Sequence, residues 1–344
     1  MKKLLLKLFL LFFIIAATNN IFFKLLRLPF CWGNDIAYAK SQYFLKHKSE
    51  FNSIFIGTSR TYWQADVAYF DSLTRQQTKS FNFGIDAIAA AEIFYYTDNL
   101  VNLNESIRYV FIEVYDIDLI VKNNLHTLRE KYWYNFDSWI FTVRAILGST
   151  YKIKEKCRGV FYNTITFFEW LLKFDLLKDV VRFKDTPANE GYLGNNHNGF
   201  VALGEEKVDV PEHLGRRRLL LSDTSINSKL RVASLSTFAN YAVSNKLNYA
   251  YYNKLNEIVK YLQGKNIQVF LMMAPRSAEV QYSDIVPAFM KTDICPKINL
   301  ADARLNPEFY DLDFVYDRGH LNKAGDRIYT YKIAQAFNET NVNP

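Results

Sequence analysis

Residues 53–60 read SIFIGTSR, an apolar run that ends at a glycine and is followed at once by two hydroxyl side chains and an arginine. A short, uninterrupted apolar run bounded by turn-forming residues is typical of a strand buried on both faces. Four further segments of this kind follow along the chain, at residues 79–83, 109–114, 267–273 and 297–300.

Helical patterns lie between these strands, at residues 87–101, 251–262 and 323–337. Apolar strands that alternate with helices imply crossover connections and a mostly parallel sheet covered on both faces. The sequence therefore predicts an α/β fold. A stretch at about 126–245 breaks this rhythm with further helical pieces, including residues 160–183. It predicts a long, mainly helical insertion within a single domain that spans residues 31–344.

Residues 1–30 have the layout of a secretory leader. Three lysines precede the uncharged run LFLLFFIIAA at residues 8–17. The run is short for a span of about 20 residues, although apolar neighbours on both sides extend it. No clear A-x-A cleavage site follows, which favours an uncleaved anchor in the inner or cytoplasmic membrane over a secreted, cleaved protein. Either interpretation predicts an extracytoplasmic body, in the periplasm or at the cell surface.

The net charge of +7 does not indicate nucleic-acid binding. Five bases and no acid lie in residues 1–30, which leaves 37 bases against 35 acids in the rest of the chain. A polyanion-binding protein would show a concentrated basic face. The three cysteines, Cys31, Cys157 and Cys295, form no metal-type pair, and no phosphate-binding glycine loop occurs. The sequence predicts neither a metal nor a cofactor.

Polar residues follow the predicted strands, where open parallel sheets bind their ligands. Ser59 comes directly after the first strand, and the segment DRGHLN at residues 317–322 precedes the last helix. A serine hydroxyl becomes a nucleophile when a base takes its proton, so His320 is the candidate base and Asp317 its orienting partner. The backbone N–H groups of Ser59 and Gly84 are candidate oxyanion donors.

Each of these residues also has a structural interpretation. A serine after a strand is commonly a turn or helix cap, and Gly84 is also a natural strand terminator. Arg60 is predicted to hold an anionic group of the substrate, with a salt bridge to a neighbouring acid as the alternative. The combination and order of these residues, rather than any one of them, favour catalysis.

Two segments resemble the SGNH/GDSL hydrolase superfamily. GTSR at residues 57–60 resembles its first sequence block, and DRGHLNKAG at residues 317–325 resembles its last. The second segment is most similar to membrane-anchored, extracytoplasmic members that are associated with O-acetylation of bacterial exopolysaccharides and D-alanylation of teichoic acids. The resemblance covers roughly residues 50–120 and 250–340.

The resemblance implies a three-layer, flavodoxin-like sandwich. It also implies a nucleophile at Ser59, a base at His320, an acidic partner at Asp317 and an oxyanion-hole glycine at Gly84. Two positions depart from the family pattern. Thr58 stands where the name motif has Asp, and EVYD at residues 113–116 replaces the third-block Gly-x-Asn-Asp. Asn82 is the candidate replacement for the missing oxyanion-hole asparagine, against a structural role in its turn.

These observations predict a serine-dependent O-acyltransferase or esterase that acts on acyl esters, acetyl esters foremost, of an extracytoplasmic polysaccharide or cell-envelope glycan. The expected partners are the glycan or acyl-ester substrate, the membrane through the N-terminal segment, and a membrane-bound acyl donor system. One alternative is a non-catalytic scaffold of the same fold that binds glycan or an assembly partner. Another is a lipid-ester hydrolase with residues 160–183 as its lid.

Overall fold

The computed structural model describes residues 2–26, 31, 33–117, 133–173, 187–203, 211–240, 246–275 and 282–342. Its centre is a five-stranded, all-parallel sheet with the strand order β2-β1-β3-β4-β5. The strands are β1 (Ser53–Gly57), β2 (Ser80–Gly84), β3 (Tyr109–Glu113), β4 (Gln268–Met273) and β5 (Lys297–Asn299). This is the strand order of flavodoxin-like folds, so the predicted α/β fold is confirmed.

Helices pack on both faces of the sheet. The helices of the described residues are α1 (Lys2–Leu26), α2 (Asp35–Lys46), α3 (Ser59–Gln64), α4 (Val67–Leu73), α5 (Ala90–Leu103), α6 (Phe136–Leu147), α7 (Ile153–Leu172), α8 (Pro211–Ser222), α9 (Ser225–Asn240), α10 (Tyr249–Gln263), α11 (Tyr282–Lys291) and α12 (Lys323–Val342). Helices α5, α10 and α11 cover one face, and α4 and α12 cover the other.

A row of phenylalanines holds the central strands in register. Phe55 of β1 pairs with Phe111 of β3, which pairs in turn with Phe270 of β4. The rings stack with centroids 4.2 Å and 4.7 Å apart, and Phe337 of α12 packs against the rings of Phe111 and Phe270. Burial of each such ring contributes roughly 1.5–3 kcal/mol. The shared register brings the carboxyl ends of β1 and β3, and the loops that follow them, to one edge of the sheet.

The segment between β3 and β4 holds α6 to α10 and no strand among its described residues. The predicted insertion at 126–245 is mainly helical where it is described, with turns and loop over residues 194–203. The helix predicted at residues 160–183 begins earlier, at Ile153, and α7 ends at Leu172. Residues 174–183 of that prediction lie outside the described part of the chain.

Helix α1 is longer than the apolar run predicted at residues 8–17. It has 25 residues. Its most apolar stretch of 18 residues has a mean hydropathy of 2.0, and 6% of that stretch is buried. By length and composition, it is the one helix of the described residues that could cross a membrane. Its position near the N-terminus fits a signal anchor or a signal sequence.

Candidate active site

Ser59 stands at the point where β1 ends and α3 begins. Thr58 is the N-cap of α3, and its side-chain oxygen accepts a hydrogen bond from the backbone N–H of Arg60. This cap sets Ser59 at the first position of the helix, where its side chain is partly exposed. The Ser59 hydroxyl lies 2.9 Å from His320 Nε2, although the two residues are 261 positions apart. The structure therefore brings together the two residues that the sequence pairs as nucleophile and base.

A tight loop before α12 holds His320 against Asp317. Asp317 Oδ1 accepts hydrogen bonds from the backbone N–H groups of Gly319 (2.7 Å) and His320 (2.9 Å). Both carboxylate oxygens lie 3.0 Å from His320 Nδ1. An ionised carboxylate only accepts, so Nδ1 carries the proton and Nε2 accepts from the Ser59 hydroxyl. Asp317, His320 and Ser59 thus form one continuous hydrogen-bonded chain.

The protonation states of Asp317 and His320 are those that a general base needs before the reaction. Burial alone would raise the pKa of Asp317, but hydrogen bonds from His320 and from two backbone N–H groups outweigh it and hold that pKa well below its usual range. Burial lowers the pKa of His320, and the cations Arg60 and Arg216 add to this effect, while Asp317 opposes it. His320 is therefore neutral and Asp317 ionised at neutral pH.

The predicted oxyanion donors other than Ser59 are not directed at the site, which corrects the assignment of Asn82 and Gly84. The Gly84 N–H donates to Asn82 Oδ1 at 2.8 Å. The Asn82 amide donates to the carbonyls of Thr61 (2.7 Å) and Ala65 (2.9 Å) at the end of α3. Asn82 thus has the structural role that was its alternative, since its amide ties the end of α3 to β2.

The backbone N–H of Ser59 is the remaining oxyanion donor that the sequence predicts. It occupies the first position of α3 and has no acceptor among the described residues. An N–H at this position is left without a partner by the helix itself. It is available to a substrate oxygen near the nucleophile.

Arg60 lies inside the protein, beside His320. Its side chain is 7% exposed, and its guanidinium sits over the Tyr115 ring at 5.6 Å. Its Nη2 atom would be 3.6 Å from a methyl group placed on Gly319, so it adjoins the Asp317–His320 loop. From this position Arg60 affects the charge of the site, and its contact with a substrate stays a prediction.

Glu113 is a site residue that the sequence analysis did not assign. It is the last residue of β3 and is 1% exposed. Its carboxylate accepts hydrogen bonds from the Thr58 N–H (2.7 Å), the Thr58 hydroxyl (2.8 Å) and the Thr61 hydroxyl (2.7 Å). At the strand end where the family has its third block, this chain therefore has a carboxylate that fixes the segment carrying Ser59. An acid at the end of an apolar strand was the available signal.

Trp63 is a second residue beside the site that the sequence analysis did not assign. It follows Ser59 by one helical turn, and the rings of His320 and His213 both meet it edge to face with centroids 4.8 Å away. Its indole N–H is buried and has no acceptor among the described residues. The spacing of four residues from Ser59 was the signal for Trp63.

Arg217 holds α8 against the loop that carries Asp317. Its Nη1 donates to the Tyr316 carbonyl at 2.8 Å.

Lys40 links the end of β2 to α3. Its Nζ donates to the Gly84 carbonyl at 2.7 Å and lies 3.7 Å from the centroid of the Tyr62 ring. The side chain is fully buried, and this burial lowers the pKa of Lys40 well below its usual range, although Asp86 opposes the shift. Lys40 thus fixes the Gly84 turn against the helix that carries Ser59.

The described part of the chain holds no group of three His, Cys, Asp or Glu side chains arranged to bind a metal ion. The cysteines Cys31, Cys157 and Cys295 form no disulfide within the described residues. The Ser59 hydroxyl is hydrogen-bonded to a neutral imidazole, and a carboxylate orients that imidazole. A hydroxyl in this arrangement can attack a carbonyl carbon.

Comparison with protein-family models, with curated proteins and with solved structures found no match to this chain. The SGNH/GDSL resemblance therefore stays a prediction, and function has to be argued from the site itself.

Proposed function

We propose that the chain is a serine-dependent O-acyltransferase or esterase that acts on acyl esters, acetyl esters foremost, of an extracytoplasmic polysaccharide or cell-envelope glycan. The observation that carries the proposal is the hydrogen-bonded chain from Ser59 Oγ through His320 to Asp317, with distances of 2.9 Å and 3.0 Å. Such a chain is what a serine needs to act as a nucleophile at neutral pH.

In the proposed reaction, Ser59 Oγ attacks the acyl carbonyl carbon while His320 Nε2 takes the hydroxyl proton. The bond between that carbon and the alcohol oxygen then breaks, and His320 gives the proton to the departing oxygen. The acyl group stays on Ser59 as an ester. An acceptor hydroxyl, from a sugar or from water, attacks this ester as His320 takes its proton. The bond between the acyl carbon and Ser59 Oγ then breaks, and His320 gives that proton to Ser59.

The glycan substrate and the extracytoplasmic site of action rest on the SGNH/GDSL resemblance and on helix α1. As an anchor, α1 would hold the body at the outer side of the inner or cytoplasmic membrane; as a cleaved signal, it would leave a secreted protein. Transfer is favoured over hydrolysis because an anchored site stays beside a membrane-bound acyl donor system and the nascent polymer.

A second candidate function is favoured by the oxyanion geometry. The N–H of Gly84 and the amide of Asn82 are bonded within the protein, which leaves the Ser59 N–H as the one predicted donor for an oxyanion. Loss of one such donor costs about 2.7–4 kcal/mol of transition-state stabilisation. A non-catalytic scaffold of this fold, which binds glycan or an assembly partner, would tolerate that loss.

A fluorophosphonate probe separates the two functions. We expect the full-length protein to be labelled and to release acetate from an aryl acetate. Ser59→Ala should abolish both signals, and His320→Ala should slow both. The matched control is Ser72→Ala, since Ser72 is exposed and its hydroxyl bonds only the nearby Tyr69 carbonyl. A folded wild-type protein that is never labelled and releases no acetate would contradict the enzyme and favour the scaffold.

A further inference from the structure

Helix α7 has one buried side and one exposed apolar side. Gly159, Asn163 and Thr166 are buried, and Asn163 accepts a hydrogen bond from the Tyr134 hydroxyl at 3.0 Å. The opposite side carries Ile153 (74% exposed) and Phe161 (62% exposed). Cys157, between these two at helical spacing, is also exposed. Several large apolar side chains exposed together on one side of a helix indicate a surface that another apolar phase covers, whereas a single exposed one is ordinary.

The exposed side of α7 continues the apolar surface of α1. At the end of α7, the side-chain amides of Asn19 and Asn20 donate to the carbonyls of Leu172 and Leu171. The ring of Phe168, which is 45% exposed, meets the ring of Phe12 edge to face at 6.3 Å. Helix α7 is therefore joined directly to the helix that could cross a membrane.

The first half of α7 is basic. Residues 152–158 read KIKEKCR, with four bases and one acid, and Lys152, Lys154 and Arg158 are exposed. Basic residues that flank exposed apolar side chains on one helix are typical of helices that lie in the interface of anionic membranes. Charge and apolar surface thus favour the same occupant, and a protein partner would not require the basic flank.

We infer that the exposed side of α7 lies on the surface of the anionic phospholipid membrane that α1 enters. Ile153 and Phe161 insert among the lipid headgroups, Phe168 packs against Phe12 of α1, and the basic residues contact lipid phosphates. The body is then attached to the bilayer at two places, α1 and α7, and cannot rotate freely about the anchor. This inference does not depend on the acyl-transfer chemistry.

Cys157 is a natural reporter for this surface. Cys31 is 1% exposed, and burial raises the pKa of Cys295 to about 12, so a maleimide nitroxide reacts with Cys157 in preference to both. The full-length protein is labelled and placed in nanodiscs of phosphatidylglycerol or of phosphatidylcholine. Collisions of the nitroxide with oxygen, which concentrates in lipid, and with a water-soluble nickel chelate are then measured by electron paramagnetic resonance.

In phosphatidylglycerol we expect oxygen access to rise and nickel access to fall several-fold relative to a nitroxide at Leu305→Cys in a Cys157→Ser background. The protection of the nitroxide from the nickel chelate should weaken in phosphatidylcholine, which has no net negative charge. It should also weaken at high salt, because salt screens the basic residues. Ile153→Asp and Phe161→Asp should restore nickel access. Leu305→Asp adds the same charge at a residue of similar exposure (66%) elsewhere on the surface, and should not.

Nickel access equal to that of the Leu305→Cys reference, or protection that Ile153→Asp and Phe161→Asp leave intact, would overturn the inference. Protection accompanied by spin–spin broadening that disappears on dilution with unlabelled protein would also overturn it. In that case, a second copy of the chain covers α7.

Discussion

Asp317 affects both the orientation of His320 and its charge. Its carboxylate accepts from His320 Nδ1 and fixes Nε2 as the atom that faces Ser59. In Asp317→Asn the amide can donate to the ring instead, which favours the opposite tautomer. We expect kcat for aryl acetate hydrolysis to fall on the order of 10⁴-fold, with the fold intact. Asp313→Asn removes an exposed acid a few residues away and should leave kcat unchanged, whereas an active Asp317→Asn variant would contradict the assigned role.

The pKa of His320 predicts how activity depends on pH. The neutral ring is the active form, and burial lowers its pKa, so activity should persist to pH values below the ordinary histidine pKa of about 6.5. Arg216 also lowers this pKa, so Arg216→Gln should raise it and move the acid limb of kcat/KM to higher pH. Because Arg216 is exposed, the shift should be small and should shrink at high salt.

Arg218→Gln is the matched control for this shift. Arg218 is an exposed arginine of the same helix, and its removal makes the same change in net charge. An acid limb that moves equally in both variants would mean that net charge, rather than the place of Arg216, governs the titration of His320.

The contact between β2 and α3 leaves no room for a side chain at Gly84. A Cβ atom there would lie 2.2 Å from the Tyr62 backbone nitrogen and 2.6 Å from Tyr62 Cα. We expect Gly84→Ala to push α3 away and to lower the free energy of unfolding by about 1–3 kcal/mol, measured by chemical denaturation. Activity should fall with it, because Ser59 begins that helix.

Gly215→Ala is the corresponding control in α8. Nothing lies within 4 Å of a Cβ atom at Gly215, and alanine favours the helix over glycine by up to about 1 kcal/mol. That variant should be as stable as the wild type or more stable. Equal stability of Gly84→Ala and the wild type would show that the close approach of β2 and α3 is not required.

Most of the sheet could be predicted from the sequence because its strands are uninterrupted apolar runs. The predicted strand at residues 267–273 became β4 (Gln268–Met273), and the one at 79–83 became β2 (Ser80–Gly84). The proximity of Ser59 and His320 also followed, because both were predicted at the same edge of a parallel sheet. Sheet topology brings them together whatever their separation in the chain.

The oxyanion assignment failed because strand position does not reveal hydrogen-bond partners. Asn82 and Gly84 are two positions apart on one strand, so they face the same side of the sheet, and that side carries α3. The Asn82 amide donates to carbonyls at the end of this six-residue helix, and its oxygen accepts from the Gly84 N–H, so neither group faces the site. Glu113 was missed for the same reason, since its bonds to Thr58 and Thr61 join segments that are distant in sequence.

For the molecule as a whole, α1 is the proposed attachment of the body to the membrane. Phe12 contacts α7, and Phe23 contacts Lys173, which caps the end of α7. These contacts lie on both sides of Ala16 and Ala17, where the sequence comes nearest to an A-x-A cleavage pattern. Cleavage there would remove Phe12 and leave Asn19 and Asn20 near a new N-terminus. If α7 contacts the bilayer as inferred, retention of α1 gives the body two attachments, and its removal leaves one.

We predict that the mature protein keeps α1. The helix is continuous through Ala16 and Ala17, Ala16 is 7% exposed, and its carbonyl accepts from the Asn20 amide at 2.8 Å. A peptidase needs an extended, accessible segment, so the helix protects this site. Mass spectrometry of protein extracted from membranes should recover the peptide that contains residues 8–23. Ile14→Ala creates an A-x-A pattern with Ala16. Cleavage of this variant after Ala16 would show that the peptidase can act on the chain. A wild-type chain that begins at Thr18 would contradict the prediction and leave α7 as the main contact with the membrane.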